Sequence, residues 1–310
     1  MTHKLIDKAR QLALNPTACN WFQYFAQETW DRIGYVRTRR GLKIWETTVT
    51  QNLMFEFHTS KEAYLPMMRT TWGIEILESI NESANGNDIE LFVETKGGIL
   101  FFAVQAKIIN HEGFRRGGLI DGNYPYMNHV VATNNQIDLL CDYASRKGGL
   151  PLYLLYNYVN DTFDDKTLCN INFEIEQYGC SIVNASYIKT NFLVGGVWTI
   201  PTFKNLHPSI ALPWFAIPCC FSNKTKEEVL QMLAFKDIPA DNLTNYSLND
   251  IRNDKEWKLM RPFNEIKKEE ILNEDENKIE SNKKEFIEFK PKFRVIVSPK
   301  LAIEKQIKPF

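Results

Sequence analysis

"GNDIELFVETKGGILFFAVQAK", Gly86 to Lys107, is the stretch whose reading decides the fold of this chain. Gly97-Gly98 is a tight-turn signal between two runs of strand-forming residues, so the stretch predicts a β-hairpin. The first arm is "IELFVET", from Ile89. The second arm, "ILFFAVQAK", is apolar at nearly every position, which predicts a central strand covered on both faces. Such a strand should not end in an amide and an ammonium without cause. Burying Gln105 and Lys107 costs desolvation unless they reach partners or water. They are two residues apart, so both leave the strand on the face shared with Phe101 and Ala103. Asp88 opens the first arm, and Gly97-Gly98 lies midway between Asp88 and Lys107. A simple antiparallel hairpin then gathers a carboxylate, an amide and an ammonium. Each also has an ordinary reading: Asp88 as a turn residue, Gln105 and Lys107 as the solvent-facing exit of a strand.

Working outward, "LIDKARQLALN" and "NWFQYFAQETWDRI" carry helical spacing and are separated at Asn15-Pro16. "KIWETTVTQNLMFEFH" predicts a third helix, with Glu46 near its start. "WGIEILESI" alternates as a half-buried strand. After the hairpin, Ile109 to Thr133 is irregular and glycine-rich, as loops covering sites often are. "NNQIDLLCDYASRKGG" predicts a helix with Ile137, Leu140, Cys141 and Ala144 on one face, stopped at Gly148-Gly149. "LPLYLLYNYV" is another strand buried on both sides, with Tyr153 and Tyr156 read as core. "GCSIVNASYI" predicts a short strand and a turn. Helix, three strands, helix and strand make an α/β core: a central mixed sheet flanked by helices.

The expected organisation is an N-terminal helical segment with a basic loop (1–43), a core (44–190) and a C-terminal extension (191–310). The extension contains a helix in "NKTKEEVLQMLAF", a charged stretch around 262–285 expected to be partly disordered, and a strand at Phe293–Val297.

The 310 residues carry a formal net charge of -1, so overall charge favours no polyanionic partner. One basic cluster stands out: Arg32, Arg37, Arg39, Arg40 and Lys43 against Asp31, suited to phosphates or simply to solvent. The longest apolar piece, "ALPWFAIPCCF", is too short to span a bilayer, and the N-terminal residues lack a long apolar run. A cytoplasmic, non-membrane protein is therefore expected. Six cysteines, Cys19, Cys141, Cys169, Cys180, Cys219 and Cys220, lack metal-ligand spacing and read as mostly buried free thiols.

"GNDIE…VQAK" resembles the active-site signature of the PD-(D/E)xK, or restriction-endonuclease-like, nuclease superfamily, in the Mrr-type variant with a Q-x-K triplet. In that family an Asp begins the second core strand, the triplet lies on the third, and a Glu on the preceding helix completes the site. The resemblance implies Asp88 as the metal-binding carboxylate, Gln105 as the variant second ligand and Lys107 as the catalytic lysine. Glu46 matches the helical Glu, with Glu56 and Glu75 as competitors, and the Ala106 backbone carbonyl could be a further ligand. It also implies a Mg²⁺- or Mn²⁺-dependent DNA endonuclease of restriction or anti-phage defence type, with a homodimer as one route to double-strand cutting. Gln136, Arg115, Arg116, Arg37, Arg39 and Arg40 are candidates for contacting the DNA backbone. Asn87 stands where the motif has Pro, and Gln105 where it usually has an acid. A catalytically degenerate nucleic-acid-binding protein and a nuclease acting on RNA remain open beside this reading.

Overall fold

The computed structural model describes residues 3–37, 42–64, 73–80, 88–110, 122–131, 134–235, 238–260 and 289–304. The strands of the main sheet are β1 (Ile74–Ser79), β2 (Asp88–Thr95), β3 (Gly98–Ile108), β4 (Leu150–Tyr156), β5 (Cys180–Asn184), β6 (Leu212–Pro213), β7 (Trp257–Leu259) and β8 (Pro291–Val297). They lie in the order β6-β5-β4-β3-β2-β8-β1-β7. β2 pairs antiparallel with β3, β3 parallel with β4, and β8 parallel with β2. The sheet is mixed, as the alternation of helical and strand patterns implies.

The hairpin forms where Gly97-Gly98 predicts it. Thr95 pairs with Gly98, whose φ of 116° is open to glycine without strain. β3 is buried from Ile99 to Lys107, as befits a strand at the middle of the sheet. β1 departs from its expected half-burial. Ile74–Leu77 are all buried, because β8 and β7 flank the strand and the Glu75 carboxylate pairs with Arg252 at 2.8 Å.

The strand expected at Phe293–Val297 forms as part of β8, and it inserts between β1 and β2. The sheet of the core thus draws on both sides of residue 190. On β8, Arg294 is buried with Glu90 of β2. Arg294 Nε donates to Glu90 Oε2 at 2.7 Å, Nη1 to the Ile251 carbonyl at 2.8 Å and Nη2 to Asp254 at 2.9 Å. The charged stretch around 262–285 lies outside the described residues.

Helices cover both faces. α1 (His3–Leu14), α2 (Ala18–Arg37) and α3 (Glu46–Tyr64) form the layer on one side. Their aromatic residues interlock: the Trp21 ring stacks on Phe57, and the Trp214 indole N–H donates to the Phe22 carbonyl at 2.7 Å. Thr50 of α3 meets the Tyr156 hydroxyl at 2.8 Å, and Thr29 of α2 meets the Cys180 thiol. Gly179 lets the 175–179 turn lie against α2. A Cβ there would sit 1.9 Å from the Ala26 carbonyl oxygen. On the opposite face α4 (Gln136–Arg146) packs beside α5 (Ala185–Phe192), the latter standing where the sequence suggests only a turn. The Asn184 side chain caps α5 by accepting from the Tyr187 N–H, a start signal that the sequence reading passes over. Among the described residues no helix is long and apolar enough to cross a membrane.

The reading of the cysteines as mostly free thiols is corrected. Cys19 is bonded to Cys219, and Cys169 to Cys220, leaving Cys141 and Cys180 free. The partners are 200 and 51 residues apart in sequence, and only the fold brings them together. The adjacent cysteines of the short helix Ala216–Cys219 and its cap thereby join α2 to the tip of the hairpin Lys166–Phe173.

Candidate functional site at the end of strand β3

The ladder between β2 and β3 runs from Thr95↔Gly98 to Ile89↔Val104, whereas that between β3 and β4 continues to Ile108↔Tyr156. Among the described residues, therefore, the β2-facing edge of β3 has no strand partner beyond Val104. This register places Asp88 opposite Gln105, one step past Ile89↔Val104, rather than opposite Lys107 as equal spacing about the turn suggests. It is a non-hydrogen-bonded position, where opposite side chains stand close.

The alternation of the strand sets which groups face the open edge. The Ile109 N–H donates to the Tyr156 carbonyl on the β4 side at 3.0 Å. The backbone groups of Ala106 and Ile108 therefore point the other way. The Ile108 N–H is taken by Glu46, the first residue of α3, which accepts it through its carboxylate. An acidic residue also suits the N-terminal end of a helix. The Ala106 carbonyl shares this open edge.

Four of the predicted residues meet here. The Gln105 amide donates to the Asp88 carboxylate, Lys107 acts on both Asp88 and Glu46, and the Glu46 and Asp88 charges act on each other. Asp88, Gln105 and Lys107 are buried, and Glu46 is half-buried. Lys107 Nζ donates to Gln136 Oε1 at 2.7 Å, so Gln136, at the first residue of α4, anchors the ammonium from the opposite face. Burial drives the Asp88 carboxyl up to about 7, against the opposing effects of Lys107 and Gln105, with Glu46 adding to the rise. Burial likewise raises Glu46, opposed by Lys107 and the Ile108 N–H. The cluster holds two acids reluctant to ionise together and one cation.

The donor set fits a hard divalent cation. Gln105 Oε1 is buried with no hydrogen-bond partner among the described residues. Such an oxygen costs about 1–3 kcal/mol unless something meets it. Beside it are two carboxylates and the Ala106 carbonyl, all oxygen donors of the kind Mg²⁺ and Mn²⁺ take. Among the described residues no group of three His, Cys, Asp or Glu could hold a metal ion. The set therefore depends on the amide and carbonyl oxygens to supplement its two acids.

The competitors for the role of Glu46 lie elsewhere. Glu56 pairs with Arg32 at 3.0 Å, and Glu75 pairs with Arg252. Arg37 donates through Nη2 to the Ile109 carbonyl, bracing the chain just beyond Lys107. Arg39, Arg40, Arg115 and Arg116 lie outside the described residues. Tyr153 and Tyr156 are fully buried, as their core reading predicts. Tyr153, the β4 partner of Gln105, donates to the Met127 carbonyl at 2.7 Å and so ties the 122–131 segment to the site. Sequence reasoning missed the buried group beside the site on the same face, in which the Tyr143 hydroxyl donates to Glu90 and Arg294 completes the charge balance. Glu90, an acid near the start of the greasy strand "IELFVET", is the signal that could have found it.

The model of a family described as "Family of unknown function (DUF6615)" matches residues 18–300. No curated protein and no solved structure matches the chain.

Proposed function

The chain belongs to the DUF6615 family, and we propose that it is a divalent-metal-dependent endonuclease that hydrolyses DNA phosphodiester bonds. We take its core to be of the restriction-endonuclease-like kind, with a role in restriction or anti-phage defence. The observation that carries this reading is the convergence of Glu46, Asp88, Gln105 and Lys107 at the end of β3, with Gln105 Oε1 unpaired among the described residues. The hairpin, the parallel strand β4 and the intervening α4 support it, because they repeat the element order that the resemblance implies.

Asp88, Gln105 Oε1, Glu46 and the Ala106 carbonyl are the groups that would hold the cation. When bound, it supplies Lewis acidity, polarising the phosphate and making water more acidic. The chain's own residues supply position and charge. Lys107, fixed by Gln136, directs Nζ toward a non-bridging phosphate oxygen and stabilises the charge that grows there. Glu46, held by the Ile108 N–H, can accept the proton that the attacking water loses. Water forms the new P–O bond, the P–O3′ bond breaks, and the leaving 3′ oxygen takes up a proton from solvent. Asp88, Gln105 and Lys107 are themselves buried, and low-dielectric surroundings strengthen each of these interactions.

The test is incubation of the purified protein with supercoiled plasmid and with linear DNA, with and without Mn²⁺. Cleavage should require the metal and be lost in folded Asp88→Ala and Lys107→Ala proteins. Undiminished cleavage by either variant contradicts the mechanism.

A further inference from the structure

Two large aromatic side chains stand in solvent on backbone that is bonded to the site. Trp45 is 64 % exposed and Tyr126 57 %. Tryptophan is mostly buried in folded proteins, and Trp21, Trp30, Trp214 and Trp257 follow that habit here. Trp45 immediately precedes Glu46. Its carbonyl accepts the Val49 N–H at 3.1 Å, so its backbone is the fixed start of α3. Tyr126 lies in the turn Pro125–Asn128, and that turn is pinned on both sides of it. Tyr124 donates its hydroxyl to Asn157 at 2.6 Å, and the Met127 carbonyl accepts from Tyr153, the partner of Gln105. The His129 carbonyl accepts the Gln136 N–H at 2.8 Å, so the segment is also bonded to the residue that anchors Lys107.

The segments that carry the two rings belong to different layers. Trp45 comes with α3, on the face of Tyr156 and Thr50. Tyr126 comes with the segment held by Tyr153, on the face of Gln105. Lys43, exposed, lies two residues before Trp45 and adds a positive charge to the same segment.

We propose that Trp45 and Tyr126 are base-stacking platforms beside the site, and that the DNA it takes is single-stranded or locally unpaired. The proposal rests on the nuclease reading for its substrate and deepens it. In a duplex the faces of each base are covered by its neighbours, so an exposed ring gains stacking only from a base that has left the stack. Two rigid rings need little ordering to receive such bases. A stable protein partner, by contrast, engages about 20–30 residues on each side.

The test is fluorescence anisotropy of the full chain, without metal and with EDTA, against a labelled short oligothymidylate, a labelled oligouridylate and a labelled duplex of equal length. The single-stranded DNA should bind more tightly than the duplex. Trp45→Ala and Tyr126→Ala should each weaken that binding about fivefold or more. Trp45→Phe and Tyr126→Trp should stay within about twofold of the parent. Circular dichroism of each variant separates lost stacking from lost folding. Alanine variants that fold and bind like the parent overturn the proposal, as does equal or tighter binding of the duplex. So does a clear preference for the RNA strand, which assigns the rings to RNA. The assay needs no cleavage. If the single strand binds through these rings but no metal-dependent cleavage occurs, the nuclease reading fails and the platforms stand. If cleavage occurs and the alanine variants bind normally, the platforms fail alone.

Discussion

Lys107 Nζ and Gln136 Oε1 are 2.7 Å apart, joining the end of β3 to the first residue of α4. The ammonium is buried, and a hydrogen bond to a charged group is worth about 1.5–3 kcal/mol. Gln136→Leu should therefore destabilise the fold by ~1–3 kcal/mol and slow metal-dependent cleavage by about tenfold or more. The loss should fall on kcat rather than KM, because Lys107 would still be present but no longer aimed. Denaturant melts and steady-state kinetics of Gln136→Leu beside Gln136→Glu, which keeps an acceptor, check this. Equal kinetics in both variants and the parent count against a positioning role.

Asp88 carries a pH dependence. Its carboxyl lies at about 7 in the fold against 3.8 ordinarily, so the folded state holds this proton more firmly than the unfolded chain. The stability it contributes is fully present below about pH 4 and is lost as pH rises toward 7. At pH 8 Asp88→Asn should then be more stable than the parent by ~1–3 kcal/mol, with the gain vanishing at pH 4. Binding of a divalent cation must displace that proton, so Mn²⁺ affinity should rise about tenfold from pH 6 to pH 8. Thermal melts and titrations across this range measure both. A flat profile contradicts the assignment.

Arg294 and Glu90 form a buried ion pair across β8 and β2, with Tyr143 and Asp254 completing it. Removing one partner strands a charge, so Arg294→Met should cost ~3–5 kcal/mol. The double variant Arg294→Met with Glu90→Leu should recover much of that loss, which equilibrium unfolding measures. No recovery means that Arg294 acts mainly through its contacts with the Phe92 and Trp257 rings.

The two disulfides tie segments far apart in sequence, and closing such loops restricts the unfolded chain. Reduction should lower stability by ~2–4 kcal/mol per bond. Peptide mapping without reductant should recover Cys19 linked to Cys219 and Cys169 linked to Cys220. Alkylation of all six cysteines in the native, unreduced protein contradicts the pairing.

Much of the fold could be read locally. Gly97-Gly98 and its flanking apolar runs define a hairpin whose register turns on a single turn. Ile137, Leu140 and Ala144 define α4 through one buried face. The meeting of Asp88, Gln105 and Lys107 was legible because a hairpin converts sequence distance into spatial nearness, and because polar residues ending an apolar strand need a reason. Glu46, on a separate helix, was suggested only by the family resemblance. The finer register was not, since it depends on which residues close the turn. The insertion of β8 beside β2 and the pairing of Cys19 with Cys219 were also hidden. Both join segments roughly two hundred residues apart, and no local periodicity records such a contact. Trp45 and Tyr126 escaped because exposure of an aromatic ring is a property of the packed molecule.

The most direct test of the account is a calorimetric titration of the chain with Mn²⁺ and Mg²⁺ at pH 8. It should show one saturable site, abolished in Asp88→Ala and weakened in Gln105→Leu, where the buried oxygen is gone. Gln105→Glu should bind more tightly, because it adds a third carboxylate. No saturable binding in the parent protein, or binding unchanged in Asp88→Ala, contradicts the claim that the end of β3 is a metal-dependent catalytic site.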